Sequence, residues 1–545
     1  MSVSATSTTG DALAVVNARV WTGDDRRRWA DALLTAGERI VAVGSSAEVM
    51  KRAGGRPRVI DAGGRLVVPG FIDAHIHFLA GGQGLSSVQL RDAATPEEFV
   101  RRIADYARSC PRGTWIRNGD WDHERWGGEL PRRDWIDAVT PDHPVWVNRH
   151  DGHMSLANSA ALRAAGVTRD TPEVDGGTIV RDATGEPTGV LKDNAEQLVA
   201  RVAPPPTDAE ADASLDAAMR FVARQGVTSV HHMGTWEDLA VFERAHRAGR
   251  LRTRIYAAVP IDTWERLRDR IRESGRGDQW LRIGALKGFV DGSLGSHTAA
   301  MFEPYDDAPG ERGLFVNRPD DLHRWTSAAD KAELHLIVHA IGDRAIRAQL
   351  DIYERVAAEN GARDRRFRIE HAQHLSAPDV PRFARLGVIA SAQPYHAIDD
   401  GRWAERAIGA ERAALTYAFR SLLDAGARLA FGSDWFVAPP TPLEGIYAAV
   451  TRRTLDGRHP GGWVPAQRIT VEEALHAYTR AAAYASFDDA NTGSLTAGRL
   501  ADFAVIDRDI TRIPAEAIAD ARVTMTVAGG RVVFDAAATP GPTAG

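Results

Sequence analysis

The sequence has very little cysteine and contains no long apolar run. Cys110 is the only cysteine among 545 residues, which excludes intrachain disulfides and cysteine-rich zinc sites and favours a reducing cytoplasm. No stretch of about eighteen apolar residues occurs, so no membrane-spanning helix is predicted. The first residues show no basic segment followed by an apolar one, so no signal peptide is expected.

The sequence also lacks an excess of positive charge. Its formal net charge is −6 and no basic block is present, so neither nucleic acid nor an anionic membrane is an expected partner. A small-molecule substrate is the expected partner instead. Hydrophobic residues make up 44% and charged residues 26%, as in ordinary globular proteins, and the length predicts a large domain with a smaller one.

Both ends of the chain are rich in short β-type runs separated by glycine and aspartate. We expect residues 1–68 and 491–545 to build one small β-sandwich together, although two unrelated β extensions would show the same pattern. The long middle, residues 69–490, forms the other predicted domain.

In the middle, short β-branched runs alternate with stretches of helical composition, which indicates βα units. The pattern predicts an α/β protein with a (β/α)8 TIM barrel and a large insertion, about residues 79–210, after the first strand. The eight strand candidates are "FIDAHIHF", "GVTSVHHM", "RTRIYAAV", "IGALKGFV", "LHLIVHAI", "FRIEHAQ", "GVIASAQP" and "RLAFGSDW".

Potential metal ligands follow several of these strands. His75 and His77 end the first strand, His339 the fifth and His371 the sixth, and Asp434 follows the eighth. Catalytic groups of such barrels gather at the C-terminal ends of the strands, and histidine and carboxylate bind zinc and similar ions. Each residue alone could be a buried core histidine or a helix cap. Together they predict a metal site.

Lys287 lies inside the apolar fourth strand and is one of only four lysines. Burial lowers the pKa of a lysine, and a neutral amine can react with carbon dioxide to give a carbamate, an oxygen ligand for metal ions. The alternative is an ion pair between Lys287 and Asp291.

These residues, with "PGFIDAHIHF" and "GSLTAGRLADFAVID", resemble the amidohydrolase superfamily. The stretches "DGSLGSHTAAM", "HAIGDRAI", "RIEHAQ", "GSDW" and "DGHMSLANSAAL" are similar to its YtcJ-like branch, which includes N-substituted formamide deformylase. The resemblance implies hydrolysis of C–N bonds, usually of amides, with one or two divalent ions, zinc first. It implies that the metal ligands are His75, His77, His339, His371 and Asp434, with Lys287 as a carboxylatable lysine.

Asp434 is also expected to transfer a proton from water to the leaving nitrogen, because amines leave poorly unless protonated. His297, in the loop after the fourth strand, is predicted to bind or orient the tetrahedral oxygen, although it could be an ordinary surface residue.

The insertion is rich in tryptophan and in polar residues that could meet a substrate. Trp121, His150 and His153 are predicted to contact the substrate, as is Asp291 of the barrel, and an aromatic lid would favour an apolar or aromatic N-substituent. For most of the tryptophans a role in the core of the insertion is the simpler interpretation.

Three alternatives remain open at the level of sequence. The same barrel and metal could act on a cyclic amide, a carbamate or a deaminase substrate, because fold and ligands do not determine the substrate. A non-catalytic scaffold and a metal-free acid–base enzyme are the others. The resemblance further implies a homodimer.

Overall fold

The computed structural model describes residues 12–538, so the predicted end segments 1–11 and 539–545 lie outside the described residues. In this part of the chain, no helix has both the length and the apolar composition needed to cross a membrane. The N-terminal elements are β1 (Ala12–Val16), β2 (Arg19–Trp21), β3 (Trp29–Ala30), β4 (Ala32–Ala36), β5 (Arg39–Gly44), α1 (Ser46–Ala53), β6 (Arg58–Asp61) and β7 (Leu66–Pro69).

The next strand, β8 (Phe71–Ile76), is fully buried and is followed by the insertion. The insertion contains α2 (Phe78–Gly84), α3 (Pro96–Ser109), β9 (Ile116–Arg117), α4 (Arg133–Asp137), β10 (Val145–Asn148), β11 (Met154–Ala157), α5 (Ser159–Ala165), β12 (Gly177–Arg181), β13 (Pro187–Asp193) and α6 (Gln197–Ala200). Its strands form a separate sheet in the order β12-β13-β11-β10-β9. Apolar side chains bury both faces of this sheet, so the insertion has its own core.

The barrel continues after the insertion, where Thr207 caps the next helix by accepting the Glu210 backbone N–H. Its elements are α7 (Asp208–Arg224), β14 (Val227–Met233), α8 (Trp236–Arg247), β15 (Arg254–Pro260), α9 (Trp264–Ser274), β16 (Leu281–Phe289), α10 (Pro319–Lys331), β17 (His335–Ala340), α11 (Asp343–Asn360), β18 (Arg368–His371), α12 (Val380–Leu386), β19 (Ile389–Ala392), α13 (Pro394–Asp400), α14 (Ala404–Ala413), α15 (Phe419–Asp424), β20 (Arg428–Phe431), α16 (Pro442–Thr451), α17 (Val471–Ala477) and α18 (Arg480–Tyr484).

Strands β8 and β14 to β20 form one eight-stranded parallel sheet in chain order. Each predicted strand segment overlaps one of these strands, so the predicted (β/α)8 barrel is confirmed. Because the strands are parallel, their C-terminal ends, and the polar residues that follow them, meet at one mouth of the barrel.

Polar contacts join the first and last barrel strands at this mouth. Ser433 donates its backbone N–H and its hydroxyl to the two carboxylate oxygens of Asp73, at 2.9 and 2.5 Å. The backbone N–H of Asp434 donates to the carbonyl of His75 at 2.7 Å. A Cβ atom on Gly432 would lie 2.4 Å from the backbone nitrogen of His75, so the close approach of the two strands requires glycine here. The contacts bring His75 and Asp434 side by side.

The C-terminal strands β21 (Phe503–Ile506), β22 (Val523–Ala528) and β23 (Arg531–Asp535) return to the N-terminal ones. One sheet has the order β5-β4-β1-β6 and the other β23-β22-β21-β7-β2-β3, so the second sheet takes strands from both ends of the chain. Val15 and Leu33 of the first sheet share a buried apolar cluster with Val67 and Phe503 of the second. The predicted composite sandwich is confirmed, and the alternative of two unrelated extensions is wrong.

Candidate metal centre and substrate pocket

Three side chains converge at the barrel mouth with their ligand atoms close together. The Nε2 atoms of His75 and His77 each lie 3.3 Å from Oδ1 of Asp434. His75 is fully buried and Asp434 is 5% exposed. Within the described chain, neither His75 Nε2 nor Asp434 Oδ1 has a hydrogen-bond partner. Buried polar atoms are rarely left unpaired, so these atoms fit the coordination of a cation.

A second group of ligand atoms shares the same aspartate. His371, His396 and Asp434 offer atoms within 4.8 Å of one another. His396 lies in α13, after the seventh strand, and its Nε2 is also buried without a partner in the part that the structure describes. The sequence pattern did not indicate His396 as a ligand. Its only signal was its place four residues beyond the end of a barrel strand.

The second ring nitrogens of His75 and His371 contact buried acceptors. His75 Nδ1 lies 2.5 Å from Glu370 Oε2, and His371 Nδ1 lies 2.8 Å from Gln393 Oε1. Because a carboxylate accepts but cannot donate when ionised, the proton of His75 lies on Nδ1 and its Nε2 keeps a lone pair for a metal. Glu370 is therefore a positioning residue for a predicted ligand, and sequence reasoning missed it.

His339 joins the cluster through ring contacts. Its ring centroid lies 4.5 Å from that of His371 and 4.9 Å from that of His153. Its Nε2 lies 3.0 Å from the carbonyl oxygen of Gly292, which only accepts, so Nδ1 keeps the lone pair. His339 is thus adjacent to the two groups described above, but it belongs to neither of them.

Lys287 is 4% exposed, and its Nζ lies 4.7 Å from the ring centroid of Phe289. Burial lowers the pKa of Lys287 to about 8, against the opposing charges of Glu370 and Asp434. A substantial fraction of this amine is neutral near pH 8, which is the form that reacts with carbon dioxide.

The alternative ion pair between Lys287 and Asp291 is not formed in the described structure. Asp291 Oδ1 accepts the backbone N–H of Ile341 at 3.0 Å, and Oδ2 accepts those of Gly342 and Ala300 at 2.8 Å each. Asp291 is fully buried, and its Oδ1 lies 3.6 Å from His339 Nε2. The structure therefore places it behind His339, as a carboxylate that orders the loops, and not in the wall of the cavities described below.

The electrostatics of the cluster favour neutral histidines and an ionised aspartate. Burial lowers the pKa of His77, and it lowers those of His339 and His371 well below the usual range. Burial opposes the charge of Asp434, but His75, His77 and His371 hold its pKa well below the ordinary value. Neutral imidazole and ionised carboxylate are the forms that bind metal ions.

Two predicted site residues lie elsewhere. Trp121 is fully buried in the core of the insertion, where its indole N–H donates to the carbonyl of Val147 at 2.9 Å. The sequence prediction for Trp121 is therefore corrected, because tryptophan enrichment cannot distinguish a subdomain core from a pocket wall. His297 Nε2 lies 3.1 Å from Asp307 Oδ1, and in the described chain His297 belongs to neither ligand group and lines neither of the cavities described below.

Two cavities adjoin the cluster. One, of about 40 Å³, is lined by His371, His396 and Asp434 together with residues of the insertion, which are Arg149, His150, Asp151 and His153. The other, of about 400 Å³, is lined by His77 and Lys287 and has an apolar wall of Met233, Pro260, Ile261, Phe289 and Trp325. The insertion thus contacts the ligand end of the barrel, as predicted, but with polar residues in place of an aromatic lid.

His153 is fixed in the wall of the small cavity by Asp193, whose Oδ1 lies 2.6 Å from His153 Nδ1. Burial alone would lower the pKa of His153, but the hydrogen bond and charge of Asp193, with the charge of Asp151, raise it to about 9. His153 is therefore a cationic side chain near pH 7, and its ring lies directly beside that of His339.

A (β/α)8 barrel with histidines and an aspartate converging at the strand ends defines the class of metal-dependent barrel hydrolases. The model of the amidohydrolase family matches residues 58–534, so the chain belongs to the amidohydrolase family. The resemblance seen in the sequence is thereby confirmed.

Relatives span almost the whole chain. The chain is 41% identical over 507 residues to Protein LONG AFTER FAR-RED 3 of Arabidopsis thaliana, covering 91% of this chain and 87% of that protein. It is 32% identical over 523 residues to N-substituted formamide deformylase of Arthrobacter pascens, covering 91% and 93%. The crystal structure of an uncharacterized metal-dependent hydrolase from Pyrococcus horikoshii OT3 superposes with a TM-score of 0.75 at 28% identity, covering 92% and 99%.

Proposed function

We propose that this chain hydrolyses the C–N bond of a small amide, namely an N-substituted formamide or a similar amide with an apolar or aromatic N-substituent. The observation that carries the proposal is the convergence of His75 Nε2, His77 Nε2 and Asp434 Oδ1 between two cavities of unequal size. The similarity to N-substituted formamide deformylase supports the same reaction class.

The larger cavity supports the choice of N-substituent. Its volume of about 400 Å³ lies within the range of small-molecule sites, and Phe289 and Trp325 offer aromatic surface beside Lys287. Apolar and aromatic groups gain most from leaving water for such walls. The amine side of the substrate therefore occupies this cavity.

The donor set fits one or two divalent ions, and zinc is the proposed metal because imidazole and carboxylate are its usual ligands. His75, His77 and Asp434 would hold one ion, and His371, His396 and Asp434 a second, with His339 and a carboxylated Lys287 as the adjacent ligands that the resemblance implies. Such an ion would supply Lewis acidity, which lowers the pKa of water and polarises a carbonyl.

The residues of the chain handle the protons. Asp434 is ionised, and with Oδ1 directed at the ion its other carboxylate oxygen accepts a proton from the attacking water and returns it to the leaving nitrogen. The water oxygen bonds to the acyl carbon, the C–N bond breaks, and the products are a carboxylic acid and an amine, which exchange a proton to leave a carboxylate and an ammonium ion. A positioned acid–base group of this kind contributes about 10² to 10⁴ in rate.

Elemental analysis of the purified protein and hydrolysis of N-phenethylformamide test the proposal together. We expect one or two equivalents of zinc or a similar ion, amine release from the formamide, and loss of at least about a hundredfold in kcat in Asp434→Asn. Protein that takes up no metal, or metal-loaded protein that cleaves no amide in a panel of aromatic and alkyl formamides, would refute it.

A further inference from the structure

Three residues that line the small cavity beside the metal cluster carry buried nitrogen atoms without a hydrogen-bond partner among the described residues. Arg149 Nη2, both ring nitrogens of His150 and the indole Nε1 of Trp403 are buried without a hydrogen bond anywhere in residues 12–538. These side chains are 1%, 6% and 7% exposed. Leaving a buried donor unpaired is costly, so several of them around one cavity indicate a group that accepts hydrogen bonds there.

Two nitrogens of the Arg149 guanidinium have partners that hold it in place, and the third has no hydrogen-bond partner among the described residues. Its Nη1 lies 2.6 Å from Asp151 Oδ2, and its Nε lies 3.1 Å from His123 Nδ1. Nη2 lies 3.8 Å from Oδ1 of Asp122, which is beyond hydrogen-bond distance, and it has no hydrogen-bond partner among the described residues. A Cβ atom on residue 295 would lie 2.5 Å from both Nη atoms of Arg149. This position of the barrel loop must therefore be glycine to leave room for the guanidinium.

The other two donors come from separate parts of the chain. His150 belongs to the insertion, and burial together with the charge of Arg149 lowers its pKa to about 4, so it is neutral near pH 7 and offers one N–H. Trp403 precedes α14 of the barrel and can only donate. The cavity is therefore assembled where the insertion meets the loop after the seventh strand.

The size of the cavity restricts what can enter. A cavity needs about 10–15 Å³ to hold one water-sized sphere, so the small cavity of about 40 Å³ has room for about three. The cavity lined by His77 and Lys287 is ten times larger, at about 400 Å³. The ligand groups around Asp434 lie between the two cavities. An amide placed across them would direct a small polar end to one side and a large apolar end to the other.

We propose that the small cavity is the acyl subsite, in which Arg149, His150 and Trp403 donate hydrogen bonds to oxygen on the acyl side of the scissile bond. The subsite admits a formyl group and excludes branched acyl groups, and the same donors bind the carboxylate product. This inference rests on the proposed amide hydrolysis and specifies which half of the substrate each cavity receives.

Formate binding to metal-loaded protein, measured by calorimetry, tests the donors without catalysis. Trp403→Phe keeps an aromatic ring and removes the N–H, so we expect formate to bind about tenfold more weakly. Gly295→Ala should weaken binding in the same direction by displacing Arg149, whereas Gly310→Ala should not, because a Cβ there meets nothing within 4 Å. Trp264→Phe on α9 is the matched aromatic control, and metal content must be equal in all variants.

The acyl preference tests the size of the subsite. Wild-type kcat/KM for N-phenethylformamide should exceed wild-type kcat/KM for N-phenethylisobutyramide, which has a branched acyl group, by at least about a hundredfold. Val437→Ala, which enlarges the small cavity, should reduce this ratio about tenfold or more, and Val241→Ala, a similarly buried valine on α8, should not.

The outcomes separate the two proposals. If formamide and isobutyramide are cleaved at equal rates and Trp403→Phe and Gly295→Ala bind formate like the wild type, the acyl subsite is wrong while amide hydrolysis stands. If no amide is cleaved, the proposed function fails, and formate binding that weakens in both variants still identifies a carboxylate site.

Discussion

The carboxylate of Glu370 holds the imidazole of His75, with Oε2 2.5 Å from Nδ1 and both side chains fully buried. Arg368 donates to the same carboxylate from Nε at 2.8 Å and from Nη2 at 2.9 Å. Although burial opposes the charge, Arg368 and His75 hold the pKa of Glu370 well below its ordinary value. A charged carboxylate therefore orients the first predicted metal ligand of the chain.

Replacing Glu370 should weaken both the metal site and the fold. We expect Glu370→Gln to bind zinc about 10–100-fold less tightly, because His75 loses its charged partner. Competition with a chromophoric chelator measures this affinity. Arg368 would also lose a buried counter-charge, costing about 3 kcal/mol or more of unfolding free energy. Glu237→Gln, on the exposed side of α8, is the control, and unchanged zinc affinity in Glu370→Gln would contradict the assigned role.

His396 and His297 should behave differently when each is changed to asparagine. His396 Nε2 lies in a ligand group, so His396→Asn should retain less metal or bind it at least about tenfold more weakly. His297 lies against Asp307 and Tyr305, so its variant should keep the wild-type metal content. Elemental analysis after dialysis compares them, and equal metal loss in both would show that the His396 assignment is wrong.

Lys287 should determine the response to bicarbonate. If its amine forms the carbamate, protein reconstituted with zinc and bicarbonate should bind close to two ions per chain, and labelled bicarbonate should give a carbamate carbon signal in the NMR spectrum. Lys287→Met should lose the signal and the second ion. Two ions bound in the variant, or no carbamate signal in the wild type, would exclude the modification.

Acidification should destabilise the fold through buried histidines that belong to neither ligand group. Burial lowers the pKa of His335 and that of His374 to about 3, against an ordinary value of 6.5. Protonation then favours the unfolded chain, so stability falls as the pH drops below 6.5 towards 3, by about 1.4 kcal/mol per pH unit for each histidine. No such loss arises from them above pH 6.5.

The matched test uses His374→Gln, which cannot be protonated. Its melting temperature should lie below that of the wild type at pH 7.5, because His374 Nδ1 loses its 2.8 Å contact with Thr416 Oγ1. The difference should narrow as the pH falls from 6.5 to 5. A constant difference across this range would show that His374 does not stay neutral in the folded protein.

Local pattern and barrel geometry predicted four of the side chains that the structure brings together at the barrel mouth. His75, His77, His371 and Asp434 were predicted because each follows an apolar run that forms a barrel strand, and parallel strands end at one mouth. His396 was missed because it lies within α13, where no strand end marks it.

Predictions about the insertion were less accurate for a physical reason. A tryptophan side chain can bury its apolar surface in a core or in a pocket wall with a similar gain in free energy. Composition therefore did not show that Trp121 belongs to the core. Arg149 and Trp403 carry no signal in the sequence, since their unpaired nitrogens exist only once distant segments have packed.

By itself the sequence determined the eight βα units, the composite sandwich and the histidines and aspartate at the barrel mouth, because strand alternation and turn chemistry are local properties. Only the tertiary structure decided which ring nitrogens remain free, that Glu370 supports His75, and that a cavity of about 40 Å³ borders Asp434 and one of about 400 Å³ borders His77. Those features depend on distances between segments far apart in the chain, which are set by how the insertion and the barrel loops pack together.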